Sequence, residues 1–173
     1  MTGRRPWPGI QKASLVLKLL ADGTLLLLLA TAGTAGIIWL VRCKPDWRRL
    51  LPYAVMAGLT SLLAGKLMSF WQPDTVRPFV KQGVEAGAAF VDNPGFPSDH
   101  VLLSVVVVVA IYFLTPYKKL SYVLTAVVAT MAVARVLALV HTPFDIVGGV
   151  VAGLFGIVWY FLARERGLLT KHK

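Results

Sequence analysis

The chain has little of what a soluble or metal-binding protein needs. Its 173 residues include one cysteine, Cys43, which excludes an internal disulfide and a cysteine metal cluster. Charged residues make up only 15% of the chain, whereas about a quarter of an ordinary soluble domain is charged. Hydrophobic residues make up 57% and fall in long blocks. The composition therefore predicts a single integral membrane domain over residues 1–173.

Acidic residues are especially scarce, with 8 Asp and Glu against 18 Lys and Arg, and the formal net charge is +10. In a soluble protein such an excess would indicate binding to nucleic acid. Here the basic residues stand at the ends of the apolar blocks, where they set the orientation of membrane helices. The pattern excludes nucleic acid as a partner and indicates a protein held in a lipid bilayer.

Five apolar blocks approach the length of about 20 residues that a transmembrane helix needs. The third block is rich in β-branched residues, but an open strand cannot span lipid, so a helix is expected there as well. The sequence therefore predicts an all-α, polytopic membrane helix bundle with about five transmembrane helices. The blocks run approximately over residues 25–41, 51–70, 101–114, 120–140 and 144–162.

Two segments lie outside these blocks. Residues 10–21 place two lysines among leucines and valine, which predicts an amphipathic helix in the membrane interface, within an N-terminal interfacial segment over 1–22. Gly23 interrupts the apolar run after it. Residues 71–97 contain four prolines and several glycines, which predicts an irregular loop with one short helix near 80–90. A loop of this length is usually functional.

The basic residues predict the topology. They cluster after the first block, after the third and after the fifth, and five spans would place all three clusters on one face, which the positive-inside rule makes cytoplasmic. The loop over 71–97 and the turn after the fourth block then lie outside, where they would form an extracytoplasmic active site. Arg4 and Arg5 would also lie outside, against the rule, so the placement of the N-terminus stays open.

Several unusual polar residues share that outer face. They are Arg77 after the second block, Ser98, Asp99 and His100 at the start of the third, Arg135 and His141 at the end of the fourth, and Asp145 at the start of the fifth. A charged side chain inside a membrane costs roughly 2.5–3.5 kcal/mol on insertion scales, so such residues usually have a function. Guanidinium groups bind phosphate bidentately, and a helix N-terminus also attracts anions. The set predicts a site that binds an anion and could attack it.

These residues resemble the phosphatidic acid phosphatase type 2 superfamily. The family pattern is Lys-x6-Arg-Pro, Pro-Ser-Gly-His, and Ser-Arg-x5-His-x3-Asp. This chain has Arg77-Pro78, then Pro-Ser-Asp-His at 97–100, then Arg135 with His141 and Asp145 at the family spacing. The resemblance covers about residues 66–149. Asp99 and Ala134, which replace a glycine and a serine of the pattern, make the chain most similar to the bacterial undecaprenyl-diphosphate phosphatases of that superfamily.

The resemblance implies a role for each residue. His141 would be the nucleophile that forms a phosphohistidine, and Asp145 would hold its other ring nitrogen. His100 would protonate the leaving oxygen and then activate water. Arg77, Arg135 and Ser98 would bind the substrate phosphate. Neither a metal nor a cofactor is expected.

Two positions depart from the family pattern. The family lysine falls at Phe70, and the nearest substitute is Lys66, one helical turn earlier on nearly the same face. Lys66 either reaches the phosphate in its place or only snorkels to a headgroup or pairs within the bundle. Asp99 replaces the family glycine and is expected to orient a histidine or an arginine in the phosphate-binding region.

The resemblance implies metal-independent conversion of undecaprenyl diphosphate to undecaprenyl phosphate and phosphate, in a bacterial inner membrane. Two alternatives stay open. The substrate could be another lipid: phosphatidylglycerophosphate, phosphatidic acid or a polyprenyl-linked sugar phosphate. The protein could also be a non-catalytic lipid carrier or transporter with a charged pocket.

Each polar residue also has a purely structural interpretation. Asp145 could cap the fifth helix together with Thr142, and Ser98 with Asp99 could cap the third. Arg135 could form a structural ion pair with Asp99 or Asp145, and Arg77 could contact a headgroup. The glycines near 148–156 indicate close helix packing, either within the bundle or between two copies in a homodimer.

Overall fold

The computed structural model describes residues 15–72, 76–91 and 95–169, and every regular element in those ranges is a helix. The predicted all-α fold is therefore confirmed. The helices are α1 Leu15–Cys43, α2 Trp47–Trp71, α3 Pro78–Gln82, α4 Asp99–Leu114, α5 Lys118–Leu137, α6 Pro143–Leu154 and α7 Ile157–Glu165.

Four helical stretches of the described chain are long and apolar enough to cross a membrane: α1, α2, α5, and α6 with α7 together. The fifth apolar helix, α4, has only 16 residues, a length of about 24 Å against a bilayer core of about 30 Å. It packs against α1, α2, α5 and α6. A helix surrounded by others in this way need not match the bilayer thickness. The protein is a multi-pass membrane protein, and the described part of its chain contains four long apolar stretches and the shorter apolar helix α4.

The N-terminal part of α1 differs from the prediction of a separate interfacial helix. Residues 10–14 lie outside the described ranges, but from Leu15 onward the helix continues through Gly23 without a break. Leu19–Gly23 form one π-helical turn that packs against α5. Glycine within a helix costs only about 1 kcal/mol, and tertiary contacts of this turn outweigh that cost. The start of α1 is thus part of the bundle.

The glycines of α6 allow it to lie directly against α4. A Cβ atom on Gly149 would come within 2.7 Å of the Ser98 carbonyl oxygen, and one on Gly153 within 2.7 Å of Val105 Cβ. The predicted packing within the bundle is confirmed for these glycines. They therefore give no support to the homodimer, which stays a prediction.

A buried serine supports the break between α6 and α7, which the sequence had predicted as one helix over 144–162. Ser61 Oγ on α2 donates to the Gly153 carbonyl oxygen at 3.0 Å and accepts from the Gly156 N–H at 3.1 Å. Ser61 thus pairs backbone groups at the interruption, and unpaired backbone groups are costly inside a bilayer.

The three basic connections lie together at one end of the bundle. Arg42 lines a crevice with Lys118 and Lys119, and Arg49 lines a second one, of about 350 Å³, with Leu168. Helix α1 begins at the other end of the bundle, since its last residue, Cys43, lies at the basic end. The segment over residues 76–91 lies at that other end too, because its Ala89 N–H donates to Asp22 of α1. That second end carries the unusual polar residues.

Candidate active site

A sharp turn after α5 brings Arg135 and His141 together. The helix ends at Leu137, and Leu139 has a φ of 59°, a left-handed conformation that is uncommon for a residue with a side chain. The chain reverses there, so that Arg135 Nη2 lies 3.4 Å from His141 Nε2. Both side chains are buried. The turn therefore places a guanidinium beside the ring nitrogen that the family resemblance makes the nucleophile.

Asp145 both caps α6 and faces the histidine. Its Oδ2 accepts from the Thr142 N–H at 2.7 Å, and the Asp145 N–H donates to Thr142 Oγ1 at 3.2 Å, which is a capping box. The same Oδ2 lies 3.6 Å from His141 Nδ1. The structural interpretation of Asp145 as a cap is thus confirmed. The cap also fixes a carboxylate beside the ring nitrogen opposite Nε2.

The surroundings keep His141 neutral. Burial lowers the pKa of the His141 imidazole below its ordinary value of 6.5, and the nearby Arg135 guanidinium lowers it further, while the interaction with Asp145 opposes both effects. A neutral imidazole carries one proton. With that proton on Nδ1, facing the Asp145 carboxylate, Nε2 keeps its lone pair toward Arg135.

Arg77 is held by backbone oxygens beside the same turn. Its Nη1 donates to the Val140 carbonyl and its Nη2 to the Val91 carbonyl, both at 2.8 Å. The guanidinium carbon lies 5.2 Å from the centre of the Phe90 ring. Arg77 is buried, and its contact with Val140 places it next to the backbone of His141.

The segment that carries Arg77 is docked on the end of α5 by its backbone. The Phe79 N–H donates to the Leu139 carbonyl and the Gly87 N–H to the Ala138 carbonyl, both at 3.0 Å. Helix α3 is shorter than the predicted helix over 80–90, because it ends at Gln82 and is followed by Gly83 as its C-cap. Gly83 has a φ of 63°, which a glycine adopts without steric cost.

The start of α4 reaches the site through Ser98. The Ser98 N–H donates to the Asp145 carbonyl at 3.0 Å, which joins α4 to the first turn of α6. Ser98 stands at the cap position of α4, but its hydroxyl makes no capping bond. That hydroxyl is buried and has no hydrogen-bond partner among the residues the structure describes. A buried hydroxyl without a partner is costly and is suited to an oxygen of a bound anion.

The next two residues differ in exposure. Asp99 is exposed, whereas His100 is half-buried and interacts electrostatically with Arg135 and His141. The structure thus brings His100 into the group around His141.

Lys66 does not share the burial of this group. It is exposed on a side of α2 that also carries Leu63 and Phe70, and Phe70 is 85% exposed. The residue of α2 that faces the bundle there is Gly65, where a Cβ atom would come within 2.6 Å of Leu102. The structure therefore places both the family lysine position and its predicted substitute on the outer surface of the bundle.

Asp22 is a site residue that the sequence reasoning missed. The predicted ion-pair partners of Arg135 were Asp99 and Asp145, but the salt bridge in the structure joins Arg135 Nη1 to Asp22 Oδ1 at 3.0 Å. A signal was present, because Asp22 is the one acidic residue between positions 15 and 43. An acid within a long apolar helix is itself a functional indication.

The site as a whole is suited to a phosphoryl group. Two buried guanidiniums, a buried hydroxyl and two histidines meet at one end of the bundle. In the described ranges, no three His, Cys, Asp or Glu side chains are grouped so that they could hold a metal ion. The buried guanidiniums of Arg77 and Arg135 supply positive charge at the site.

Comparisons with known proteins agree with the motifs. Residues 24–167 match the PAP2 superfamily, and that range contains every predicted site residue. The bacitracin transport permease protein BcrC of Bacillus licheniformis is 28% identical over 129 residues, which are 72% of this chain and 60% of the relative. The chain thus spans less than two thirds of the length of this curated relative. No solved structure matches the chain.

Proposed function

The chain belongs to the PAP2 superfamily, and from that premise we propose that it is a membrane lipid phosphatase that converts undecaprenyl diphosphate to undecaprenyl phosphate and phosphate. The observation that carries the proposal is the approach of Arg135 Nη2 to His141 Nε2, at 3.4 Å, with Asp145 on the other side of the ring. A nucleophile beside a fixed positive charge suits a negatively charged phosphoryl group.

In the first step, His141 Nε2 attacks the terminal phosphorus. The bond from that phosphorus to the bridging oxygen breaks, and His100, which takes up a proton beside the negatively charged diphosphate, donates this proton to the oxygen, so that undecaprenyl phosphate leaves. Asp145 stabilises the positive charge that develops on the ring, through Nδ1. Arg77 and Arg135 stabilise the negative charge on the phosphoryl oxygens, which is the main task of a protein in phosphoryl transfer.

In the second step, water attacks the phosphorus of the phosphohistidine. His100, now neutral, accepts a proton from the water. The bond from phosphorus to Nε2 breaks, inorganic phosphate leaves, and His141 returns to its neutral form. The Ser98 hydroxyl, which has no hydrogen-bond partner in the described chain, donates to a phosphoryl oxygen in both steps.

The position of the site supports a lipid substrate. Arg135 lies in the last turn of a membrane-spanning helix, and the outer surface of that helix is apolar, with Val133 and Leu137 exposed. A phosphate bound beside Arg135 therefore lies near the membrane surface, where a polyprenyl tail would remain in the bilayer.

The protein is expected in a bacterial plasma membrane with the site facing the exterior. The basic connections at the opposite end support this orientation. A membrane-impermeant thiol reagent applied to intact cells should label a Gln82→Cys variant and should leave Cys43 unlabelled, since Gln82 is at the site end and Cys43 at the basic end. Labelling of Cys43 alone would reverse the orientation.

Phosphate release from purified protein tests the activity. The wild type should release phosphate from undecaprenyl diphosphate in detergent with EDTA present, and His141→Ala should abolish release. Parallel assays with phosphatidic acid and phosphatidylglycerophosphate identify the preferred lipid. Loss of release on adding EDTA would contradict the metal-independent reaction, and release by His141→Ala would contradict the nucleophile.

A second candidate function, transport, is favoured by the name of the bacitracin permease relative. A transporter needs no covalent intermediate. Rapid quenching of the wild type with a substrate labelled in its terminal phosphate should trap label on the protein, and His141→Ala should trap none. Transport of a lipid without trapped label and without phosphate release would favour the second candidate.

A further inference from the structure

We propose that Asp22 is a positioning residue of the active site, which holds the Arg135 guanidinium so that Nη2 faces His141 throughout the reaction. The inference rests on the proposed phosphatase function and extends it to the N-terminal part of α1. Asp22 lies just before the residues that match the superfamily, 24–167, so the family pattern gives it no role.

Asp22 takes part in a closed ring of contacts with Arg135 and Ala89. Its Oδ1 lies 3.0 Å from Arg135 Nη1, and its Oδ2 accepts from the Ala89 N–H at 2.9 Å. Arg135 Nη2 donates in turn to the Ala89 carbonyl at 3.0 Å. One carboxylate thus joins α1 both to the end of α5 and to the segment that follows α3.

The ring determines which way the guanidinium faces. A guanidinium is a planar, rigid fork, so fixing Nη1 on Asp22 also fixes the direction of Nη2. In this orientation Nη2 is the nitrogen that lies 3.4 Å from His141 Nε2. Arg135 is 1% exposed, and a buried charge that loses its partner is strongly destabilised. Without Asp22, Arg135 would be expected to turn toward other acceptors.

In the alternative interpretation, the Asp22 carboxylate occupies the place of the substrate phosphate beside Arg135 and is displaced when the substrate binds. The contacts argue against it. Asp22 holds Nη1, whereas the nitrogen near the nucleophile is Nη2. Displacement would also remove the acceptor of the Ala89 N–H. The geometry points to a contact that persists when phosphate binds.

The two interpretations predict opposite effects on phosphate affinity. If Asp22 positions Arg135, Asp22→Asn should weaken inhibition by inorganic phosphate and lower kcat/KM by about 10- to 100-fold, the usual effect of losing a residue that orients a site group. Asp22→Glu, which keeps the charge, should recover part of the loss. If Asp22 only occupies the phosphate position, its removal should strengthen inhibition.

The experiment measures kcat, KM, the inhibition constant of inorganic phosphate and the melting temperature of the detergent-solubilised protein. The variants are Asp22→Asn, Asp22→Ala and Asp22→Glu. Asp46→Asn is the matched control, because it removes an exposed ion pair with Arg49, of 2.9 Å, at the other end of the bundle. The control should keep the wild-type kinetic constants, and all Asp22 variants should show a higher inhibition constant.

Several results would overturn the inference. One is an unchanged or lower inhibition constant of inorganic phosphate in Asp22→Asn. Another is an Asp22→Asn variant that yields less folded protein but has wild-type kcat and KM in the folded fraction. A wild type that releases no phosphate from any lipid would overturn the proposed function, and the inference with it. An active wild type with unaffected Asp22 variants would overturn the inference alone.

Discussion

Arg135 Nη2 and His141 Nε2 lie 3.4 Å apart, although the two residues are six positions apart and only Arg135 belongs to α5. In a continuous helix, residues three and four apart are neighbours on one face, and a separation of six would turn the side chains to different faces. The left-handed Leu139 reverses the chain between them. The juxtaposition therefore depends on the backbone at one residue.

Leu139→Ile tests that dependence. Isoleucine has the volume of leucine but is branched at Cβ, and a β-branched residue in the left-handed region is strained. Strained backbone of this kind costs about 1–3 kcal/mol, so kcat/KM should fall and the melting temperature should decrease. Phosphate-release kinetics and thermal unfolding measure the two effects.

The matched variant at this position is Leu139→Asn, since asparagine enters the left-handed region more readily. It should retain more activity than Leu139→Ile although it differs more from leucine in polarity. If Leu139→Ile instead equals the wild type while Leu139→Asn is impaired, the side chain of Leu139 matters more than its backbone.

The sequence leaves open whether Lys66 reaches the phosphate, and the two possibilities predict different kinetics. Because Lys66 is exposed on the outer side of α2, Lys66→Gln should change kcat/KM by less than about twofold, within the small effect usual for surface substitutions. Arg77→Gln, at the buried guanidinium beside Val140, should lower it by at least about tenfold, because losing a charged hydrogen-bonding group costs about 1.5–3 kcal/mol. Equal losses in both variants would mean that Lys66 does reach the phosphate.

The amino-acid sequence predicts the fold class and the spacing of the site residues, but not the rotation of every helix. The spacing of Arg135, His141 and Asp145, together with the alternation of apolar blocks and basic connections, was sufficient to predict the fold class and the end of the bundle that carries these residues. The orientation of Lys66 was not predictable in this way. Helix α2 has apolar residues all round, so periodicity does not fix its rotation. Gly65 fixes it, through close packing against Leu102.

The role of Asp22 is not predictable from the local sequence pattern either. Its partner Arg135 is 113 positions away, and the contact exists because the helix continues through Gly23 and keeps the first turns of α1 against α5. Glycine usually lowers the expectation of a continuous helix. Only the packing of the whole bundle shows that the continuous helix is favoured here.

The pH dependence of kcat/KM follows from the neutral form of His141. Burial holds the pKa of His141 below 6.5, so this residue should stay unprotonated and nucleophilic down to a pH below that value. The acid limb of the kcat/KM profile, which reports the free enzyme, should therefore lie below pH 6.5. Asp145→Asn removes the interaction that raises the pKa of His141, and the limb should move to still lower pH. An acid limb at or above pH 6.5 would contradict the prediction.

Gly149→Ala should damage the site from a distance, through the contact of α6 with α4. The added Cβ atom would lie 2.7 Å from the Ser98 carbonyl oxygen, and overpacking of this kind costs about 1–3 kcal/mol. Moving Ser98 also moves the hydroxyl assigned to the phosphoryl oxygens, so kcat/KM should fall together with the melting temperature.

The control is Gly33→Ala in α1, because a Cβ atom there would meet nothing within 4 Å. Alanine stabilises a helix interior by about 0.5–1 kcal/mol relative to glycine, so this variant should melt at the same or a higher temperature with unchanged kcat/KM. If Gly149→Ala lowers kcat/KM and the melting temperature while Gly33→Ala does not, the contact with Ser98 accounts for the loss. A fully active and stable Gly149→Ala would mean that α4 and α6 can separate without disturbing the site.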